Sequence, residues 1–221
     1  MRSGMDPQDA RKLMVRRLTE TGYVSSPRVA KAMELVERHL FLPSAMQDEA
    51  YMDTPLHIGE GQTISAPHMV AMMAEALDLR SGQKVLEVGG GSGYHAAVMA
   101  ELVKPDGKVI SVERLPTLAD RARASLRATG YDSWVEVIVG DGSKGLPEKA
   151  PFDRISIAAA APYVPEPLQQ QLLDGGKLLI PVGGKFYQEL ILVTRRRDSY
   201  VQKDLGGCVF VPLIGEYGFK A

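Results

Sequence analysis

Residues 85–94, VLEVGGGSGY, decide the fold. The apolar run ending here, Lys84–Val88, is long enough for one buried strand, and in Tyr94–Lys104 (YHAAVMAELVK) apolar residues recur at helical spacing. Between them, glycines at 89, 91 and 93 permit positive φ and leave no side chain across the strand's carboxyl end. The stretch is a strand, a tight turn and a helix, arranged so that a ligand can touch main chain.

The spacing says which ligand. A dinucleotide loop runs G-x-G-x-x-G; counted from Gly89, its third glycine would fall on Tyr94, and the pattern here is E-x-G-x-G-x-G. Glu87, two residues before the first glycine, suits an ammonium or sulfonium group and opposes a pyrophosphate, which favours S-adenosylmethionine over NAD. The β-branched run Lys108–Val112 ends in Glu113, 20 residues beyond Gly93, where doubly wound folds place the acid that holds ribose hydroxyls. Val135–Val139 ends in Gly140-Asp141-Gly142, which puts Asp141 where it can accept from an adenine amino group. Either acid alone reads better as an ordinary loop or helix-cap residue. Three carboxylates at the ends of three successive strands converge on one crevice.

The chain has 221 residues, enough for one α/β domain. We expect N-terminal helices and an active-site loop over 1–83, a cofactor-binding core over 84–182, and C-terminal strands with a substrate-side tail over 183–221. With 26 basic and 27 acidic residues there is no electrostatic footprint for nucleic acid or an anionic membrane. The single cysteine, Cys208, sits in the apolar run CVFVPL, and no signal-peptide or membrane-spanning stretch is evident, which fits a cytoplasmic monomer. The histidines at 39, 57, 68 and 95 are scattered, without metal-ligand spacing, so no metal is expected.

Before the first core strand, Asp9–Thr21 reads as an amphipathic helix, and Ser26-Pro27 starts a second one through Val36. Tyr51–His68 has no clear period and reads as a long functional loop. It ends at Ser65-Ala66-Pro67, a cap-plus-proline start for a helix through Leu77 whose amino end can bind a carboxylate. After residue 142, Phe152–Ala161 is a buried strand running into small residues that leave room for a ligand. A helix to Leu173 closed by Asp174-Gly175-Gly176 follows, then a strand over Lys177–Val182. Leu190–Thr194 and Cys208–Leu213 read as a final strand pair joined by a charged 195–207 loop. The expected fold is a Rossmann-like three-layer α/β sandwich: a mostly parallel seven-stranded sheet with an antiparallel strand, plus N-terminal helices.

Over nearly its whole length the chain resembles the protein-L-isoaspartate O-methyltransferases. The motifs are DTPLHIGEGQTISAPHMVAMM (53–73), VLEVGGGSGYHAAVMA (85–100), GDG (140–142), PFDRISIAAAAPYVPEPLQQQL (151–172), GGKLLIPVGG (175–184) and FVPLIGEYG (210–218). The resemblance implies S-adenosylmethionine as methyl donor, S-adenosylhomocysteine as product, and isoaspartyl peptides and proteins as substrates. It implies that Gln62, Thr63, Ile64, Ser65 and His68 line the methionine end and the transfer site, with Ser65 the catalytic residue. It places Glu87, Gly89, Gly91 and Gly93 at the methionine portion, Glu113 at the ribose, and Asp141 and Gly142 at the adenine. Val211, Pro212 and Leu213 would offer backbone to the substrate peptide. One departure is Gly90, where members often carry a hydroxyl residue. A small-molecule methyltransferase of the same fold, or a module that binds the cofactor without turnover, would share 85–142 but need not share the 53–73 and 210–218 motifs.

Overall fold

The computed structural model describes residues 5–220; the ends of the expected domain, 1–4 and 221, lie outside the described residues. Helix α1 (Pro7–Glu20) starts at Asp6, whose carboxylate accepts from the Gln8 N–H at 2.7 Å. Helix α2 (Pro27–Leu35) starts at Ser26 in the same way. Both put a proline in the first turn, where a missing N–H costs nothing.

The 51–68 segment is not the structureless loop the sequence suggests. It contains an antiparallel hairpin, β1 (Leu56–Gly59) and β2 (Gln62–Ile64), turned by Glu60 and Gly61 at φ 52° and 68°. Leu56 and Ile58 are buried and alternate with exposed His57 and Gly59, a period too short to stand out. Helix α3 (Pro67–Leu77) follows.

The core then runs β3 (Lys84–Val88), α4 (Tyr94–Val103), β4 (Lys108–Glu113), α5 (Pro116–Ala128), β5 (Val135–Val139), β6 (Phe152–Ile157), α6 (Glu166–Gln170), β7 (Leu172–Gly183), β8 (Gln188–Arg196) and β9 (Ser199–Cys208), with strand and helix alternating as far as β5. One seven-stranded sheet has the order β5-β4-β3-β6-β7-β8-β9. The first five pair in parallel, and β8 is antiparallel to both neighbours. Alternate side chains of the central strands serve two cores. Val85, Val109 and Val135 pack under α1–α5, whereas Leu86, Ile110, Ile155 and Leu178 face a thinner layer that includes Leu146, Leu168 and Leu213.

Two C-terminal expectations are corrected. The helix expected to reach Leu173 ends at Gln170, because Leu172 already pairs with Phe152. Asp174-Gly175-Gly176 is a bulge within β7, with Gly175 at φ 74°, and does not cap a helix. The last strand is the charged segment 199–208, not 208–213. It is an edge strand with most positions exposed, so it carries no apolar signature, whereas 209–213 leaves the sheet as an irregular tail. That tail bridges to Ala160 through Ala160 N–H to Val211 C=O (2.8 Å) and Leu213 N–H to Ala160 C=O (2.7 Å). The mostly parallel seven-stranded sheet otherwise follows the expected architecture.

Candidate active site

The carboxyl ends of β3, β4, β5 and β6 open into one crevice, flanked by the β2–α3 junction and by the 211–214 tail. Gln62, Thr63, Ile64, Ser65, Glu87, Gly89, Gly91, Glu113, Gly142, Val211, Pro212 and Leu213 all line it. Ala158 and Ala159 line it from β6, where bulk would fill the space.

The glycine loop is held from below by Glu113. One carboxylate oxygen accepts from the Gly91 N–H at 2.8 Å and the other from the Leu115 N–H at 2.9 Å, which ties the turn to the start of α5. Each oxygen has further lone pairs, so the acid keeps capacity for a ligand hydroxyl. Gly89 needs its freedom for backbone shape, at φ 88°. Gly142 needs its own for close approach, since a Cβ there would overlap Val88.

Glu87 is completely buried. Its Oε2 accepts from Ser111 Oγ at 2.5 Å, and its Oε1 has no hydrogen-bond partner among the described residues. A Cβ built at Gly90 would overlap the Ser111 hydroxyl. The space that a side chain at position 90 would enter is taken by the Ser111 hydroxyl from β4. Burial pushes the Glu87 carboxyl up to about 8; the Ser111 bond offsets part of this and neighbouring Glu113 adds to it. A buried carboxyl with one unpartnered oxygen lining a crevice is a fit for a cationic ligand group, and poor company for a phosphate. With the bulk-free floor and Glu113, these residues fit S-adenosylmethionine.

Three of the expected residues do not line the crevice. His68 packs against Tyr23 with the rings tilted by 40°, and its Nδ1 lies 2.9 Å from Asp53 Oδ1. Gly93 starts α4 at φ 84°, and a Cβ there would sit 3.3 Å from Ala122 and Leu126, so its smallness serves packing. Asp141 turns to the tail: Oδ1 accepts from the Ser143 N–H (3.0 Å) and Oγ (2.6 Å), and Oδ2 from the Glu216 N–H (2.9 Å). Burial alone would raise its pKa, but these donors and Lys144 outweigh that and lower it.

Ser65 does not cap α3. The cap position is Ala66, without a side-chain bond, while Asp53 Oδ1 takes the His68 N–H at 2.9 Å. The Ser65 side chain makes no hydrogen bond among the described residues, so its hydroxyl is left for whatever enters the crevice.

The residue pattern did not single out Tyr94 and His95, which line the crevice from the first turn of α4. Tyr94 is fully buried under the Arg38 guanidinium, 5.0 Å from the ring centroid, which ties the N-terminal segment to the glycine loop. Arg38 in turn donates Nε–H to the Ala50 carbonyl at 2.8 Å. His95 is a lone polar residue in a helix buried on all sides up to Glu101. That alone could have marked it, because such a helix has no wet face to give it.

Comparison with known proteins bears on this geometry. The family model for protein-L-isoaspartate(D-aspartate) O-methyltransferase matches residues 9–218. The Methanopyrus kandleri protein-L-isoaspartate O-methyltransferase is 61% identical over 212 residues, covering 96% of this chain and 94% of its own. The Methanothermobacter thermautotrophicus protein of the same name is 57% identical over 214 residues, covering 96% and 98%. Among solved structures, a protein-L-isoaspartate O-methyltransferase superposes with a TM-score of 0.87 at 31% identity, covering 94% of this chain and 67% of its own. A Plasmodium falciparum structure, solved with S-adenosyl-L-homocysteine as a candidate enzyme of this kind, gives 0.83 at 28% identity, covering 92% and 98%.

Proposed function

The chain belongs to the protein-L-isoaspartate(D-aspartate) O-methyltransferase family, and on that premise we propose that it methylates the free carboxylate of L-isoaspartyl residues in damaged peptides and proteins. The observation that carries the proposal is the pairing, across one crevice, of a buried carboxyl at Glu87 with one oxygen unpartnered among the described residues and an unengaged hydroxyl at Ser65.

When bound, S-adenosylmethionine supplies a methyl group on a sulfonium centre. Glu87 and the Gly89–Gly91 main chain would hold its methionine portion, Glu113 the ribose, and the Gly142 turn the adenine, with Gln62, Thr63 and Ile64 closing the methionine end. On the substrate side, Ser65 donates its O–H to the isoaspartyl carboxylate and sets which oxygen faces the methyl group. A carboxylate has an ordinary pKa of about 4 and is already ionised at pH 7, so no side chain needs to remove a proton. The chain's contribution is alignment, which can supply up to about 7–11 kcal/mol. Within 211–213, the Val211 N–H and the Pro212 carbonyl have no backbone partner among the described residues and are free to meet a peptide main chain.

The same proposal has the enzyme act as a monomer in the cytoplasm, on polypeptide and not on nucleic acid or membrane. The near-neutral net charge of −1 supports it, and among the described residues no helix is long and apolar enough to cross a membrane. The test is methylation of an isoaspartyl peptide against its normal aspartyl twin. Selective turnover of the first supports the proposal; equal turnover, or methylation of small carboxylates alone, sinks it.

A further inference from the structure

His95 has no role in the transfer described above, yet it stands against the crevice's buried acid. Its Nδ1 lies 3.5 Å from Glu87 Oε1. Glu87 is 0% exposed and His95 9%. Glu87 Oε1 and His95 Nε2 are both buried without a hydrogen-bond partner among the described residues.

The surroundings offer Glu87 no countercharge. From β4 it meets the Ser111 hydroxyl and the anionic Glu113; from β6, Ser156 is in register with it, and its hydroxyl is also unpartnered. α3 contributes apolar Val70 to the same crevice, and α4 contributes Tyr94 and His95. Arg114 lines the crevice but, among the described residues, His95 is the one basic side chain within 4 Å of Glu87. A separation of 3.5 Å would admit an ion pair, but burial drives both groups away from charge, Glu87 up to about 8 and His95 down to about 4. At neutral pH the ligand-free protein therefore holds a neutral acid beside a neutral imidazole.

We propose that Glu87 and His95 form a proton-coupled receptor for the ammonium of the cofactor's amino-acid end. On binding, the Glu87 O–H bond breaks, its proton leaves to solvent, and the resulting carboxylate takes the ligand ammonium. His95 stays neutral and turns an N–H to the newly ionised carboxylate. It is a positioning residue: it acts on Glu87 and takes no part in methyl transfer. The inference rests on the cofactor reading given above.

The experiment is calorimetric titration of the full chain with S-adenosylhomocysteine in buffers of different ionisation enthalpy. With a free-state pKa of about 8, binding at pH 7 should release about 0.9 proton, and affinity should rise close to tenfold from pH 6 to 7 and flatten near 8. Glu87→Gln, which mimics the protonated acid, should abolish the release and flatten the affinity profile. His95→Leu removes the N–H donor beside the carboxylate. The release should then persist to higher pH than in wild type and the midpoint of the affinity profile should move upward, a shift that a merely structural histidine would not cause. 5′-Methylthioadenosine, which lacks the amino-acid end, should bind without proton release. Binding of S-adenosylhomocysteine with no release, or an equal release in wild type and Glu87→Gln, overturns the inference and leaves the methyltransferase reading standing. Failure of S-adenosylhomocysteine to bind at all would instead overturn the cofactor reading.

Discussion

Replacing Ser65 with alanine separates a transfer-site hydroxyl from a structural one, and the structure fixes the size of each effect. A serine that caps a helix contributes about 1 kcal/mol to stability. Ser65 does not cap α3, whose amino end is served by Asp53 through the His68 N–H at 2.9 Å. Its hydroxyl makes no bond within the described protein, so Ser65→Ala should leave unfolding within about 0.5 kcal/mol of wild type, a surface-like effect. In a chain of this size that is a melting shift of no more than about 2 °C. Loss of a hydrogen bond to an ionised substrate group is worth about 1.5–3 kcal/mol. At about 1.4 kcal/mol per decade, turnover should fall roughly ten- to a hundredfold. The assays are isoaspartyl-peptide methylation under saturating cofactor, calorimetric binding of S-adenosylhomocysteine, and thermal unfolding. We expect poor turnover, near-normal cofactor affinity and an unchanged melting temperature. Wild-type turnover with a lowered melting temperature would mean that Ser65 is structural and would refute its placement at the transfer site.

Three further outcomes follow from the same contacts. Glu113→Ala loses the Gly91 and Leu115 N–H bonds, each on the order of 1.5–3 kcal/mol for a charged acceptor, and S-adenosylhomocysteine affinity should drop at least tenfold; an unchanged calorimetric affinity would remove Glu113 from the site. Asp141→Ala frees the Glu216 N–H, so amide exchange at Glu216 and Tyr217 should quicken and the peptide KM should rise; unaltered exchange would show that the tail is held by other contacts. Stability of the ligand-free protein should depend on pH through Glu87 and His95. Glu87 is raised from 4.5 to about 8, so its contribution is full below 4.5 and is lost as pH rises to 8. His95 is lowered from 6.5 to about 4, so stability rises with pH over that range. The two oppose each other up to pH 6.5, and only Glu87 acts above it. Urea unfolding should show stability falling from pH 6.5 to 8 in wild type and not in Glu87→Gln.

The parts of the fold legible in the sequence are those whose pattern is set by burial. β3 and β4 follow their apolar runs, because a central parallel strand is covered on both faces. β9 was illegible for the complementary reason: an edge strand such as SYVQKDLGGC exposes most of its residues and has no apolar alternation to show. The apolar segment after it misled, since Val209 is 72% exposed and the rest crosses over β6 as a tail. β1 and β2, of 4 and 3 residues, are too short for periodicity and turn on a glutamate at positive φ. At the site, Gly93 already belongs to the start of α4, whereas Glu87, Glu113, Gly89 and Gly91 line the crevice because each lies at the end of a readable strand. Asp141 ends one too, but the direction of its side chain depends on Gly215 and Glu216, 74 and 75 residues later, which no local pattern encodes.

That long-range contact alters what the third carboxylate does. Asp141 spends one oxygen on the Ser143 N–H and hydroxyl and the other on the Glu216 N–H, while Ser143 Oγ accepts from the Tyr217 N–H at 3.0 Å. A Cβ at Gly215 would overlap the same carboxylate, so the tail passes as close as main chain allows. The turn after β5 therefore lines the crevice with Gly142 on one side and anchors the 214–217 segment on the other. The Lys144–Glu216 pair at 2.6 Å adds little, because both side chains are about half exposed. Residues 211–213 themselves make the Ala160 bridge, and the Asp141 anchor follows them at Glu216, so their backbone is held in place and again just beyond its carboxyl side. Loosening either contact should disorder 211–217 before it disturbs Glu87 or Glu113, whose hydrogen bonds among the described residues run to Ser111, Gly91 and Leu115.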